Sequence, residues 1–255
     1  MERLKDKVVL ITGGSGGIGS TAGKLFVKEG ASVVLADIDE EALKKAVDEI
    51  GNPEKVKYIK CDVSSLEDNQ KAVQKAVDSF GGLDVLLANA GIEGEVKPIV
   101  DYPLETFNAV IDVNIKGPFY GIRSAFPEMI RRGGGSIIIT SSVAGLQGTG
   151  NVSAYTMSKH AVIGLMREAS KEGAPNKIRV NTVNPAPVDN RMMRSLEKGF
   201  DPDGSGNVKE NFESMIPLNR YADNIDVARL MLFLASEESS YITGTVNPVD
   251  GGMTA

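Results

Sequence analysis

The sequence contains few of the residues that metal or disulfide sites require. Its 255 residues include one cysteine, Cys61, and one histidine, His160. A single cysteine cannot form an internal disulfide, and one residue of each type falls short of the usual zinc ligand set. We therefore expect no metal site, a buried thiol at Cys61 and a packing or surface role for His160.

Long apolar runs and positive charge are also scarce. No segment approaches the ~18 consecutive apolar residues of a membrane helix, and no charged-then-apolar leader opens the sequence. The formal net charge of −6 argues against nucleic-acid binding. We expect a cytoplasmic protein that binds neither membranes nor nucleic acids.

Apolar strand-like segments alternate with helical patterns along the whole chain. This alternation favours a single α/β domain over residues 1–255, with a parallel sheet covered by helices on both faces. The last long helix is predicted near 224–236. Strands are predicted near residues 7–12, 32–36, 56–60, 83–88, 135–140, 178–183 and 244–248.

A glycine-rich turn follows the first predicted strand. Strand, glycine turn and helix is the context of a dinucleotide-binding site, because glycines let the backbone approach a pyrophosphate at a helix N-terminus. The register stays open among three patterns, which are G-x-G-x-x-G (Gly14, Gly16, Gly19), T-G-x-x-G-x-x-G (Thr12, Gly13, Gly16, Gly19) and T-G-x-x-x-G-x-G (Thr12, Gly13, Gly17, Gly19).

The second predicted strand ends at an acidic residue, Asp37. A carboxylate about 20 residues past the glycines can accept hydrogen bonds from the ribose hydroxyls of NAD, and it repels the 2′-phosphate of NADP. The sequence therefore favours NAD (NADH) and disfavours NADP. The alternative is a helix-capping carboxylate, a role that Asp39 could fill instead.

Tyr155 and Lys159 are four residues apart in a predicted helix, and Ser142 precedes Tyr155 by thirteen residues. Positions i and i+4 share one helix face, so the Lys159 ammonium is expected near the Tyr155 phenol. A nearby positive charge favours phenolate and should lower the pKa of Tyr155, which could then exchange a proton with an alcohol.

Six motifs together resemble the short-chain dehydrogenase/reductase family, in its compact single-domain subgroup. They are Thr12-Gly13-x-x-x-Gly17-x-Gly19, Cys61-Asp62-Val63, Asn89-Ala90-Gly91, Asn114, Ser141-Ser142-x-Ala144-Gly145 and Tyr155-x-x-x-Lys159. The resemblance implies a Rossmann-type doubly wound parallel sheet of about seven strands, in the order 3-2-1-4-5-6-7. It also implies hydride transfer to the B face of a nicotinamide ring and a homo-oligomer, preferably a homotetramer.

The resemblance assigns roles to individual residues. The catalytic set would be Asn114, Ser142, Tyr155 and Lys159, with Asn114 orienting a water that connects Lys159 to solvent. The NAD site would comprise Gly13, Ser15, Gly16, Gly17, Ile18, Gly19, Asp37, Ile38, Asp62, Val63, Asn89, Ala90, Gly91, Tyr155, Lys159, Pro185, Val188 and Asn190. Ala186 and Asn190 depart from the glycine and threonine that are common in the family, which leaves the geometry near the nicotinamide open.

The substrate pocket is expected from segments 92–98 and 143–152 and from a flap at 186–215 inside the domain. Gln147 and Asn151 are its polar candidates, and Met192 and Met193 could form an adaptable apolar wall. Within the flap, Asp201–Asn207 looks like the start of a calcium loop, but position 12 of that loop would be Phe212.

Three functions remain open. The first is an NAD-dependent dehydrogenase for a small secondary alcohol or ketone of cyclic, aromatic or sugar-derived type. The second is an acyl-carrier-protein-type 3-oxoacyl ketoreductase, which would use NADP and a basic patch that Arg131 and Arg132 could start. The third is a non-catalytic NAD(H)-binding regulator.

Overall fold

The computed structural model describes residues 2–204 and 206–255 and contains one parallel sheet. Within these residues the strands follow the order β3-β2-β1-β4-β5-β6-β7, which confirms the predicted fold class and strand order. The strands are β1 (Val8–Thr12), β2 (Ser32–Asp37), β3 (Val56–Lys60), β4 (Val85–Ala88), β5 (Gly135–Thr140), β6 (Ile178–Pro185) and β7 (Val246–Val249). β6 extends two residues beyond its predicted end because Pro185 still pairs with Val249.

Helices cover both faces of the sheet. They are α1 (Gly17–Lys28), α2 (Glu40–Ile50), α3 (Leu66–Phe80), α4 (Leu104–Ile111), α5 (Gly117–Arg132), α6 (Ser153–Gly173), α7 (Arg191–Phe200), α8 (Val208–Ser214) and α9 (Asn224–Ala235). A π-helical turn at Asp112–Lys116 joins α4 to α5. In the described part of the chain, every helix is too short or too polar to cross a membrane.

The apolar strand runs are explained by burial on both sides. Leu10, Leu86 and Ile137 pack with α3, α5 and α6 on one face. Their neighbours Val9, Leu87 and Ile138 pack with α1, α2 and α9 on the other. Because successive side chains of a strand point to opposite faces, a central strand of this sheet has to be apolar at every position.

The strand order reverses between β1 and β4, and this reversal positions the site. β2 and β3 lie on one side of β1, whereas β4 to β7 lie on the other. The connections leaving β1 and β4 therefore separate and open a crevice at the carboxyl ends of the strands, where ligands of such sheets bind.

Candidate active site

A cavity of about 840 Å³ occupies this crevice. It brings together most residues that the sequence analysis selected. Those that line it are Gly13, Ser15, Gly16, Gly17, Ile18, Asp37, Ile38, Asp62, Val63, Asn89, Ala90, Gly91, Ser142, Tyr155, Lys159, Pro185, Val188, Asn190, Met192 and Met193. Four selected residues, Gly19, Asn114, Gln147 and Asn151, do not contribute to the lining.

The glycine turn owes its shape to close backbone approaches. Gly13 has a φ of 65°, and a Cβ there would lie 2.9 Å from the Cα of Ala90. A Cβ at Gly19 would lie 2.2 Å from the carbonyl oxygen of Gly13. Gly19 therefore lets α1 pack directly under the turn. The amides at the start of α1, which begins at Gly17, are positioned for an anion in the cavity.

Thr12 and Asn89 hold the turn against the neighbouring strands. The Thr12 hydroxyl accepts hydrogen bonds from the amides of Asn89 (3.1 Å) and Ala90 (3.2 Å). The Asn89 side chain donates to the carbonyl oxygens of Thr12 (3.2 Å) and Gly13 (3.3 Å) and accepts from the Thr140 hydroxyl (3.1 Å). These bonds connect the ends of β1, β4 and β5, and they explain why Thr and Asn stand at these positions.

Asp37 lies at the end of β2 with its carboxylate fixed beside the turn. One oxygen accepts from the amide (3.1 Å) and the hydroxyl (2.6 Å) of Ser15, and the other accepts from the amide of Ile38 (2.8 Å). Asp39 is the residue that caps α2, accepting from the amide of Ala42. Asp37 therefore does not cap α2, and it lines the cavity instead.

The next part of the wall follows β3. Ser64 donates to the Asp62 carboxylate through its amide (2.9 Å) and its hydroxyl (2.7 Å), which orients that side chain. Cys61 is buried beside it, and burial raises the pKa of its thiol to about 12. The thiol is therefore protonated at neutral pH and a poor nucleophile.

Tyr155, Lys159 and Ser142 meet at the other end of the cavity. The Lys159 Nζ lies 5.4 Å from the centre of the Tyr155 ring and donates to the carbonyl oxygen of Thr140 at 2.9 Å. Ser142 follows β5, and its hydroxyl donates to the carbonyl oxygen of Pro185 at 3.5 Å and accepts from the amide of Ala144 at 3.1 Å. It lies close enough to the Tyr155 phenol to lower the pKa of that group. The phenol thus has a hydroxyl on one side and an ammonium one helical turn away.

The pKa of Tyr155 differs from the sequence-based expectation. Burial raises it to about 12, the nearby Ser142 hydroxyl offsets part of this effect, and the charge of Glu93 adds to it. Burial also lowers the pKa of Lys159 to about 8. The expected lowering of this pKa is therefore not found in the protein alone: burial is the main influence on the phenol, and the Lys159 ammonium donates to the carbonyl oxygen of Thr140.

Asn114 lies behind the cavity in the π-helical turn and is 1% exposed. It accepts from the amide of Ile92 (2.8 Å) and donates to the Ile92 carbonyl (2.8 Å) and the Ser158 hydroxyl (3.0 Å). A Cβ at Gly91 would lie 3.3 Å from both the Asn114 amide oxygen and the Lys159 Nζ. Gly91 therefore leaves room between these two groups, and the proposed water relay stays a prediction.

The substrate end of the cavity is apolar. Met192 and Met193 line it as expected. The three predicted segments also supply Ile92, Val143, Val152, Ala186, Leu196, Phe200 and Phe212, whereas Met253 comes from outside them. Met215 of the flap is mostly exposed. Met253 lies far from the motifs and from the predicted pocket segments in sequence, so no local pattern could have identified it.

The two polar candidates for the substrate pocket face solvent instead. Gln147 and Asn151 are exposed, while Thr149 lines the cavity between them. Asn151 adopts a left-handed conformation with φ 58°, and its carbonyl accepts from the amide of Lys97 at 2.7 Å. Neither residue lines the cavity, so their part in substrate binding stays a prediction.

The segment that resembles the start of a calcium loop, Asp201–Asn207, is held by a hydrogen bond between its own residues. The Asp201 carboxylate accepts from the amide of Gly206 at 2.7 Å, and Ser205 lies outside the described residues. Among residues 2–204 and 206–255, no three His, Cys, Asp or Glu side chains are grouped closely enough to hold a metal ion.

Comparison with known proteins agrees with this geometry. A family model described as enoyl-(acyl carrier protein) reductase matches residues 13–254. Levodione reductase of Leifsonia aquatica is 34% identical, covering 99% of this chain and 96% of the relative. The 3-oxoacyl-[acyl-carrier-protein] reductase FabG of Thermotoga maritima is 40% identical, covering 98% and 99%.

Solved structures give the same result. The crystal structure of levodione reductase superposes with a TM-score of 0.94 at 34% identity, covering 98% of both chains. The structure of an NAD⁺-bound xylitol dehydrogenase superposes with a TM-score of 0.92 at 33% identity, covering 98% of this chain and all of the other. The shared sheet order, the turn at Gly13 and these full-length similarities show that the chain belongs to the short-chain dehydrogenase/reductase family of oxidoreductases.

Proposed function

We propose that the protein is an NAD(H)-dependent dehydrogenase/ketoreductase that interconverts a neutral secondary alcohol and its ketone, using Tyr155 as the general acid and base. The observation that carries the proposal is that one cavity is lined by the glycine turn, the Asp37 carboxylate and the Ser142–Tyr155–Lys159 group. Its two ends match the two halves of such a reaction, cofactor binding and proton transfer.

The cofactor assignment is supported at the ribose end. Asp37 presents a carboxylate already oriented by Ser15, which suits two ribose hydroxyls and opposes an added phosphate. The NAD⁺-bound xylitol dehydrogenase with the same fold supports the same choice. Asp62 and Val63 would then contact the adenine, and Pro185, Val188 and Asn190 would contact the nicotinamide. When bound, NAD would supply the hydride acceptor.

The protein residues would manage the proton and the developing charge. With its pKa raised to about 12, the Tyr155 phenol carries a proton at neutral pH and can donate it to a ketone oxygen. In the oxidation direction it must lose that proton before it can accept one from the alcohol. Ser142 would donate a hydrogen bond to the substrate oxygen, and the Lys159 ammonium would stabilise negative charge on the phenol.

The substrate would be uncharged where it meets the flap. Val143, Met193, Leu196, Phe212 and Met253 line the cavity with apolar side chains, which cannot solvate a carboxylate or phosphate. Arg191 of the flap also contributes to the lining. The similarity to a levodione reductase supports a small carbonyl compound of this kind.

The acyl-carrier-protein ketoreductase is the second candidate, favoured by the FabG relative and by the family description. The basic patch that it requires is weakened in the structure. Arg131 pairs with Glu128 at 2.6 Å, and Arg132 pairs with Asp84 at 2.9 Å, so both arginines are neutralised by near neighbours. A non-catalytic NAD(H)-binding regulator would have no need of the complete Ser142–Tyr155–Lys159 group.

Initial rates with NADH and NADPH, measured on neutral ketones and on a 3-oxoacyl thioester, separate the three candidates. We expect turnover of neutral ketones with NADH. Faster turnover of the thioester with NADPH would favour the second candidate, and NADH binding without any turnover would favour the third. Tyr155→Phe should lower turnover by about 10²–10⁴-fold while NADH still binds, as followed by its fluorescence. Near-normal activity of that variant would remove the assignment.

A further inference from the structure

Helix α7 lines part of the cavity through Met192, Met193, Leu196 and Phe200, and Asn190, the residue before it, anchors its N-terminal end. The Asn190 side chain caps the helix by accepting from the amide of Met193 (3.3 Å) and donates to the side chain of Asn224 (3.4 Å). Just before it, Val188 pairs with Ala222 in a short parallel bridge. This end of α7 is therefore tied to the segment that leads into α9, on the cofactor side of the cavity.

Near its other end, α7 approaches Val96 at Gly199. A Cβ at Gly199 would lie 2.6 Å from the Cγ2 and 3.1 Å from the Cβ of Val96. Val96 belongs to the segment after β4, which is held in place because the amide of Lys97 donates to Asn151 at 2.7 Å. Valine is branched at Cβ and has little rotational freedom, so it cannot easily move away from an added methyl group.

The backbone of α7 does not itself require glycine at this position. The φ of Gly199 lies outside the left-handed region, and glycine is less favourable than alanine in a helix. The close approach to Val96 explains why glycine occupies position 199. Leu196 and Phe200, on either side of Gly199 in the chain, both line the cavity.

We propose that Gly199 and Val96 form the contact on which α7 closes over the substrate. Gly199 is then a positioning residue, because its missing side chain lets Leu196 and Phe200 reach the substrate held at Tyr155. The combined size of the side chains at positions 96 and 199 sets how far α7, which acts as a lid, closes over the substrate. The proposal depends on the proposed function only for the kind of substrate that α7 covers. Its geometry depends on the contact between Gly199 and Val96 alone.

Hydrogen exchange of the α7 amides tests the contact without any substrate. Alanine has the higher helix propensity, so Gly199→Ala should slow exchange in residues 191–200 if the contact is unimportant. If the lid is seated on Val96, the added methyl group pushes α7 outward and exchange should become several-fold faster. The double variant Gly199→Ala/Val96→Ala, which gives back the lost space, should return exchange towards the wild-type rate.

Ser195→Ala is the matched control, because it raises helix propensity in the same helix at an exposed position. Its exchange should be unchanged or slower. Slower or unchanged exchange in Gly199→Ala, or no recovery in the double variant, would overturn the proposal.

Steady-state kinetics with NADH and a neutral ketone add a second measurement. Gly199→Ala should raise KM several-fold with kcat within about twofold, and the double variant should restore KM. A general loss of structure would lower kcat as well and would not be rescued by Val96→Ala. If no variant, including the wild type, turns over a ketone, the proposed function fails, whereas the exchange result still decides whether Gly199 seats the lid.

Discussion

At the scale of single residues, the protonation of Tyr155 decides the direction of the pH dependence. Its raised pKa of about 12 means that the phenol is almost fully protonated near neutral pH. Alcohol oxidation needs the phenolate, so kcat/KM for oxidation should rise by up to tenfold per pH unit below the pKa of Tyr155. A pH profile of alcohol oxidation measures this, with a deuterated alcohol to verify that hydride transfer limits the rate. A profile that falls as pH rises from 7 to 9 would contradict it.

Asp37 gives a second prediction at the same scale. Asp37→Asn removes the charge that opposes a 2′-phosphate, so the ratio of kcat/KM for NADPH to that for NADH should increase by about tenfold, equivalent to ~1.4 kcal/mol. The matched control is Asp39→Asn, which changes a neighbouring carboxylate that caps α2 and is not bonded to Ser15. An equal change of the cofactor ratio in both variants would mean that the effect is general electrostatics.

At the scale of elements, the glycine turn contains one position that excludes a side chain and one that allows it. A Cβ at Gly19 would lie 2.2 Å from the Gly13 carbonyl oxygen, whereas a Cβ at Gly16 would have its nearest contact at 3.4 Å. Gly19→Ala should therefore cost about 1–3 kcal/mol of unfolding free energy, the usual cost of overpacking, and Gly16→Ala should cost less. Urea unfolding of both variants measures the difference, and equal costs would show that the turn relaxes.

The flap is held by a buried phenol as well as by its anchor at Asn190. Tyr221, only 4% exposed, donates to the Glu197 carboxylate of α7 at 2.8 Å. Tyr221→Phe keeps the packed ring and removes this bond to a charged carboxylate, so we expect a loss of about 1.5–3 kcal/mol in unfolding free energy. Thermal unfolding measures it, with Tyr241→Phe, a fully exposed tyrosine, as the control. Equal shifts in both variants would exclude a special role for the Tyr221–Glu197 bond.

At the scale of the whole molecule, the exposed apolar side chains indicate where a second copy could bind. Val162, Ile163 and Met166 of α6 are buried in the core of the protein itself, whereas Met157 of the same helix is 51% exposed. Further exposed apolar side chains lie on and before α4 and on α5, with Leu104 73% and Phe119 47% exposed.

We expect a second copy of the chain to cover this surface, and a homotetramer stays the prediction. Light scattering of the purified protein should give a mass that is a multiple of 27.1 kDa, and Leu104→Glu with Phe119→Glu should reduce it. A wild-type mass of one chain would exclude the oligomer.

Much of this protein follows from local patterns in its sequence. Apolar runs such as Ile137–Ile139 required strands covered on both faces, and the glycines after β1 required a tight turn before a helix. The spacing of Tyr155 and Lys159 placed both on one side of α6. Such features depend on helix and strand periods, which act over a few residues and are therefore readable without coordinates.

Only the tertiary structure decided how these groups behave. It directed the Lys159 ammonium to Thr140 and partly buried the phenol, which reversed the expected pKa shift of Tyr155. It also left Gln147 and Asn151 exposed and brought Met253 into the pocket. Desolvation and contacts between distant segments depend on where the whole chain packs, and no spacing within the sequence encodes that packing locally.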